Sequence, residues 1–250
     1  MTLLLDFLCR FGWGLAAALV LTSPAVVPAG FFRVNTLVIM GIATFAALLA
    51  GSVGPPGAWL VPALAAAAAW MGSVAWLGER RRAGMVLAIT AATLLCLAVA
   101  LFPAAVGSGA STWLPTQVGP VAGRLLSGLV TGLSVHAMLL GHWYLNAPGM
   151  RVDALRRAID QAFGAWGLQA AVAVAAVGSP AVAPFAGGDA TATALLALRW
   201  LAGLVGLPVL LAMARQTLAI PNTQSATGIL YVACIAAILG ELTAQLLAAA

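Results

Sequence analysis

Apolar runs long enough to cross a bilayer follow one another along the chain, each closed by a short group of polar, Gly or Pro residues. A crossing helix needs about 20 predominantly apolar residues. Eight runs approach or exceed that length: residues 3–20 (continuing weakly to 28), 34–50, 58–77, 83–105, 121–145, 158–177, 191–213 and 225–248. The breaks have recognisable chemistry. Ser23, Pro24, Pro28 and Gly30 close the first run, GSVGPPG at 51–57 the second, and GERRR at 78–82 the third. A polar stretch at 107–120 with Trp113 and Pro115 closes the fourth, and a Gly/Pro-rich stretch at 178–190 the sixth. Neither Pro nor Gly continues a helix cheaply. The pattern predicts an all-α fold, a bundle of about eight transmembrane helices forming a single domain over residues 1–250. No loop is long enough to hold a soluble domain.

Composition agrees. Hydrophobic residues make up 63% of the chain and charged residues 7%, with a mean hydropathy of +1.08. A soluble domain carries about 25% charge, so the sequence excludes a soluble globular fold, a disulfide scaffold, a coiled coil and a disordered chain. The net charge of +5 comes from 11 Arg against 6 acids, with no Lys. Together with the abundance of Ala, this fits a GC-rich bacterial genome. A basic pI suggests nucleic acid in a soluble protein, but here the loops account for it. Arg33 follows the first run, Arg80, Arg81 and Arg82 the third, Arg151, Arg156 and Arg157 the fifth, and Arg215 the seventh. The loops after the second, fourth and sixth runs carry no Arg. Short cytoplasmic loops concentrate Arg. The expected setting is therefore a bacterial inner membrane, with the Arg loops in the cytoplasm and both termini outside. The first run lacks a basic leader, contains Asp6 and Arg10, and is followed by no clear A-x-A cleavage site, so it reads as a retained helix rather than a signal peptide. Within RVDALRRAID at 151–160, the apolar stripe of Val152, Leu155 and Ile159 predicts a short amphipathic helix at about 150–158, lying on the cytoplasmic surface against lipid headgroups.

Polar residues inside the spans carry the functional question, because a charge in hydrocarbon is costly. Glu241 and Arg199 fall at similar depth on antiparallel neighbours and are expected to pair. Asp6 and Arg10 stand i,i+4 on the first span, and Arg124 begins the fifth. These five make either a static network or a path for protons or anions. At about 100° per residue, Arg124, Ser127, Thr131 and His142 form a polar stripe facing the bundle. Gly128, Gly132 and His136 lie on an adjacent face. Small residues at that spacing allow close helix approach or leave room for a flat ligand, with His136 as axial ligand of a b-type haem. The arithmetic opposes haem: the chain has 2 His, both on this span and about 120° apart. A hydrogen-bonded packing role is the plainer reading of His136.

At the cytoplasmic end, His142, Trp143, Tyr144 and Asn146 sit level with Asn222, Thr223, Gln224 and Ser225, and with Asp160. Rings, a titratable His and hydrogen-bond donors suit a quinone head group or a small polar solute. An aromatic belt and a helix capped by Asn222 or Thr223 are the plain alternative. Cys9, Cys96 and Cys234 have no pairing or metal-ligand spacing and read as buried thiols. No nucleotide, hydrolase or metal motif occurs, so no metal is expected. Three functions remain open. The first is a membrane subunit of a redox or energy-transducing complex that touches quinone or relays protons, its catalysis residing in partner subunits. The second is a small-solute or ion transporter, and the third a structural or assembly subunit without ligand.

Overall fold

The computed structural model describes residues 1–102, 118–147, 150–176, 190–220 and 222–249. Residues 107–117 of the stretch with Trp113 and Pro115, and most of the Gly/Pro-rich stretch at 178–190, lie outside the described residues. Among those described there is no strand. The helices are α1 Thr2–Val20, α2 Ala29–Val53, α3 Leu60–Leu77, α4 Arg81–Leu101, α5 Val118–Asn146, α6 Asp153–Ala176 and α7 Ala190–Leu198. A π-helical segment Arg199–Gly206 then leads into α8 Leu207–Thr217, and α9 Thr223–Ala249 follows. The protein is an all-α, multi-pass membrane bundle.

Seven helices among the described residues are long and apolar enough to cross a membrane, one of them the continuous run Thr193–Thr217 through α7, the π-segment and α8. The eighth expected span is α6, which is not among the seven. It is 24 residues long, but Asp153, Arg156, Arg157 and Asp160 crowd its first two turns. The separate surface helix expected at about 150–158 is not formed. Residues 153–160 are the opening turns of α6, and Leu155 and Ile159 are fully buried in the protein core instead of facing headgroups.

Sequential neighbours pack as antiparallel pairs along α2, α3 and α4, while α5 lies against α1, α6 and α9. The turn between α3 and α4 is tight, and Glu79 takes a left-handed φ of 53° there. Ala65, Ala66, Ala68 and Ala69 let α3 sit close to its neighbours, and Trp76 stacks on Phe32 with ring centroids 4.4 Å apart. In the most apolar 18-residue stretches of α1 and α5, 61% and 67% of residues are buried, against 17% in that of Thr193–Thr217. The first two therefore form the centre and the last faces outward. Leu48, Leu64, Trp70, Val86, Leu201 and Ile235 are exposed on the exterior, a surface suited to lipid tails.

The Arg-bearing turns meet at one end of the bundle. Arg81 donates to the Pro24 carbonyl at 3.0 Å, Arg156 to the Leu218 carbonyl, and Arg215 pairs with Asp160 at 2.7 Å. Those bonds tie the α1–α2 turn to the start of α4, and the start of α6 to the end of α8. The loop asymmetry read from the sequence thus corresponds to a single physical face, called here the Arg-rich end.

Candidate functional site: a charge network between three helices

The site is set by how closely α1 and α5 approach. A Cβ at Gly14 would strike the backbone of Gly128, one at Gly128 the Arg10 carbonyl, and one at Gly132 the backbone of Gly14. Glycine at these three positions lets the two backbones touch, as small residues do between membrane helices. The crossing brings Arg10 on α1 beside Arg124 on α5; Arg10 reaches α9, and Arg124 turns back to α1.

Asp6 lies between the two guanidinium groups, with Oδ2 on Arg10 and Oδ1 on Arg124. Arg10 reaches on to Glu241 Oε1 at 2.9 Å, and Gln245 Nε2 donates to the same oxygen at 2.7 Å. Asp6, Arg124, Glu241 and Gln245 are all buried, and Arg10 nearly so. Two carboxylates and two guanidinium groups cancel in formal charge. That balance is what makes the cluster tolerable in a region of low dielectric, where an unpaired charge is very costly. The expected i,i+4 pair of Asp6 and Arg10 is present and extends to a third and a fourth helix residue.

The expected Arg199–Glu241 pair is not formed. Arg10 occupies the carboxylate instead, because α1 and α9 both pack on α5 and converge there. Arg199 is half-buried and opens the π-segment, which runs against α9 where Gly203 meets Gly240. A Cβ at Gly240 would lie 2.7 Å from the Gly203 Cα. Arg199 and Glu241 share a cavity of about 20 Å³, also lined by Thr131, Gln169, Gly203 and Gly240. That is room for one water. Glu241 Oε2 has no hydrogen-bond partner among the described residues, although the residue is only 4% exposed.

On α5 the stripe expected to face the bundle does so for Arg124, Ser127 and Thr131, all buried. His142 departs from it. It is exposed, and its Nδ1 lies 3.1 Å from the Tyr231 hydroxyl of α9. His136 is fully buried, with Nε2 2.7 Å from Thr22 Oγ1 and its ring edge-on to Phe31 at 5.4 Å. The space that Gly128 and Gly132 left for a flat ligand beside His136 is filled by α1, which removes the geometry an axial haem ligand needs.

At the Arg-rich end, α5 and α9 come side by side: a Cβ on Gly141 would lie 2.7 Å from Thr227 Oγ1. The two polar stretches singled out there are therefore neighbours, yet most of their groups have a local use. Tyr144 is buried and donates to the Arg151 carbonyl, and Trp143 packs edge-on to Phe31. Asn146 donates to the His142 carbonyl at 3.3 Å. Asn222 Oδ1 accepts from the Ser225 N–H at 3.0 Å and caps α9. Thr223 accepts the Thr227 hydroxyl through its carbonyl at 2.7 Å, and Gln224 and Ser225 are exposed. Asp160 is spent on Arg215. No hydrogen bond among the described residues joins 142–146 to 222–225.

Sequence reasoning missed Gln245, Thr22 and Tyr231. Only Gln245 carried a signal, standing four residues after Glu241 on the same helix face. Among the described residues no group of His, Cys, Asp and Glu is arranged to hold a metal. The chain matches no protein-family model, no curated protein and no solved structure.

Proposed function

We propose that this membrane protein relays protons, with Glu241 as the group that takes and releases them, as the membrane component of an energy-transducing system. The supporting observation is the unequal treatment of the two Glu241 oxygens. Oε1 is saturated by Arg10 and Gln245, whereas Oε2 is buried and unpartnered among the described residues, and Glu241 lines a cavity sized for one water. A proton carried by that water passes to Oε2, leaving water and a neutral carboxylic acid. Arg10 then keeps Asp6 as its counter-ion, so the network survives the change of state. Release is the reverse step, favoured by the cationic Arg10 and by Arg199 across the cavity. The quinone reading is weaker, because Trp143 and Tyr144 are packed, Asn222 caps α9, and no hydrogen bond among the described residues joins 142–146 to 222–225. In this proposal the Arg-rich end faces the cytoplasm of a bacterial inner membrane and the termini face outward, as the loop charges favour.

The test is proton flux in liposomes containing the purified protein, an entrapped pH dye, and a potassium gradient with valinomycin to set the voltage. Glu241→Gln is expected to stay folded and to abolish flux. Unchanged flux in that variant would refute the proposal, and a variant that loses stability while flux per folded molecule persists would reduce the network to a structural one. Orientation is read separately: a Cys placed at position 81 should resist membrane-impermeant maleimide in intact cells and react after lysis.

A further inference from the structure

At the Arg-rich end, α6 packs chiefly on α5 and α8. The space between its first turns and the α1–α2 turn is a cleft of about 100 Å³. Thr22 and Ser23 line it from the turn, and Arg151, Asp153, Arg157 and Gln161 from the other side. Leu21 and Val26 add an apolar wall. The volume holds several waters, or one tetrahedral oxyanion in their place.

The cleft has more donors than acceptors. Elsewhere at this end Arg81, Arg156 and Arg215 each have an acceptor. Arg151 holds Asp153 Oδ2 through Nε at 3.1 Å and Nη2 at 2.7 Å. Arg157 makes no hydrogen bond or ion pair among the described residues. The same is true of the Gln161 amide, which stands four residues on and so on the same face of α6. Ser23 Oγ accepts from the Ala25 N–H at 3.4 Å, which leaves its own proton uncommitted. Thr22 contributes less, because its hydroxyl is turned inward to the Ala18 carbonyl and His136. A guanidinium, an amide and a hydroxyl thus border one volume with their protons unspent. Charge agrees: Asp153 offsets Arg151, and Arg157 leaves the lining with one net positive charge. Such a lining suits a singly charged group with several acceptor oxygens, and the planar fork of Arg matches phosphate in particular.

We propose that this cleft binds one phosphate group, held by Arg157, Gln161 and Ser23. A phosphodiester carries the single negative charge that the lining lacks. Lipid headgroups carry that group, and free phosphate presents the same oxygens. The apolar wall, with Leu21 exposed, gives the lipid a place for its glycerol and first methylenes. A bound phosphate would also join two elements that share no hydrogen bond among the described residues, the α1–α2 turn and the start of α6. The proposal is independent of the relay reading of Glu241, since Arg10 lies about 15 Å from this end of α1.

Native mass spectrometry of the full chain in a neutral detergent tests it with three probes: phosphatidylglycerol, diacylglycerol and inorganic phosphate. Diacylglycerol has the chains and backbone of the lipid without its phosphate. The expected result is one saturable adduct of phosphatidylglycerol and none of diacylglycerol. Arg157→Gln should weaken that adduct about tenfold or more. Arg82→Gln removes an exposed charge at the same end but outside the cleft, and should change it by no more than about twofold. Ser23→Ala combined with Gln161→Leu alters no charge and should also weaken it about tenfold, which keeps the test decisive if Arg157→Gln fails to fold. An adduct that inorganic phosphate does not displace assigns the cleft to a lipid. A saturable phosphate adduct with the same dependence on Arg157, and no lipid adduct, assigns it to the free ion. The proposal is overturned if neither anion saturates a site, or if diacylglycerol binds as well as phosphatidylglycerol. Equal losses in Arg157→Gln and Arg82→Gln, or no loss in the Ser23 and Gln161 variant, would also overturn it, leaving only diffuse attraction by surface charge.

Discussion

Replacing Arg10 by Met should cost far more than replacing Arg199, although both are single arginines within spans beside the same carboxylate. Arg10 is nearly buried and is the shared partner of Asp6 and Glu241. In Arg10→Met, Asp6 keeps Arg124, whereas Glu241 retains only the Gln245 amide and becomes a buried carboxylate without a cation in contact. Removing one member of a buried pair costs about 3–5 kcal/mol. Arg199 has no ion pair to Glu241 and is only half-buried, so its removal strands no carboxylate. Arg199→Met should therefore change stability by no more than about 1 kcal/mol. Adding Glu241→Gln to Arg10→Met removes the stranded charge and should recover about half of the loss or more, a coupling readable in a double-mutant cycle. The assay is reversible unfolding in mixed micelles, with helix content followed by circular dichroism. Equal losses in Arg10→Met and Arg199→Met, or additive losses across the cycle, would refute the assignment of Arg10 as the partner of Glu241.

Gly132→Ala should destabilise the bundle by about 1–3 kcal/mol or more, since its Cβ enters the Gly14 backbone. Gly41→Ala on α2, with nothing within 4 Å of the new Cβ, should stabilise it by about 0.5–1 kcal/mol; thermal unfolding in one detergent compares the pair. Asn222→Ala removes the α9 cap at a cost of about 1 kcal/mol, and hydrogen exchange should quicken in the first turn of α9 before anywhere else. Asp160→Asn breaks an exposed pair with Arg215 and should cost about 0–1 kcal/mol, decreasing further in high salt by the same unfolding assay.

The spans were legible because hydropathy is a sum over many residues, and burying a segment in lipid depends on that sum more than on any one side chain. Gly/Pro punctuation and loop Arg added the breaks and the shared end for the same reason. The exception, residues 151–160, shows where the sum misleads. Charges among apolar residues look alike on a surface helix and on the first turns of a buried one. What decided the matter was the pocket waiting for Leu155 and Ile159, a property of other helices.

The partner of Glu241 was not legible, for a physical reason. Depth along a helix follows from counting at about 1.5 Å per residue, so the sequence correctly gathered Asp6, Arg10, Arg124, Arg199 and Glu241 at one level. Which of two arginines at that level takes the carboxylate depends on which helices touch, and chain neighbours were the only available guide. The glycines at 14, 128 and 132 override that guide by drawing α1 onto α5. The π-segment alters it again, because i→i+5 turns wind less per residue than α-helix and change the face that α8 presents after Arg199. The same close approach that closes the slot beside His136 delivers Arg10 to Glu241 Oε1. The free oxygen of Glu241 is thus a consequence of three missing β-carbons on two other helices.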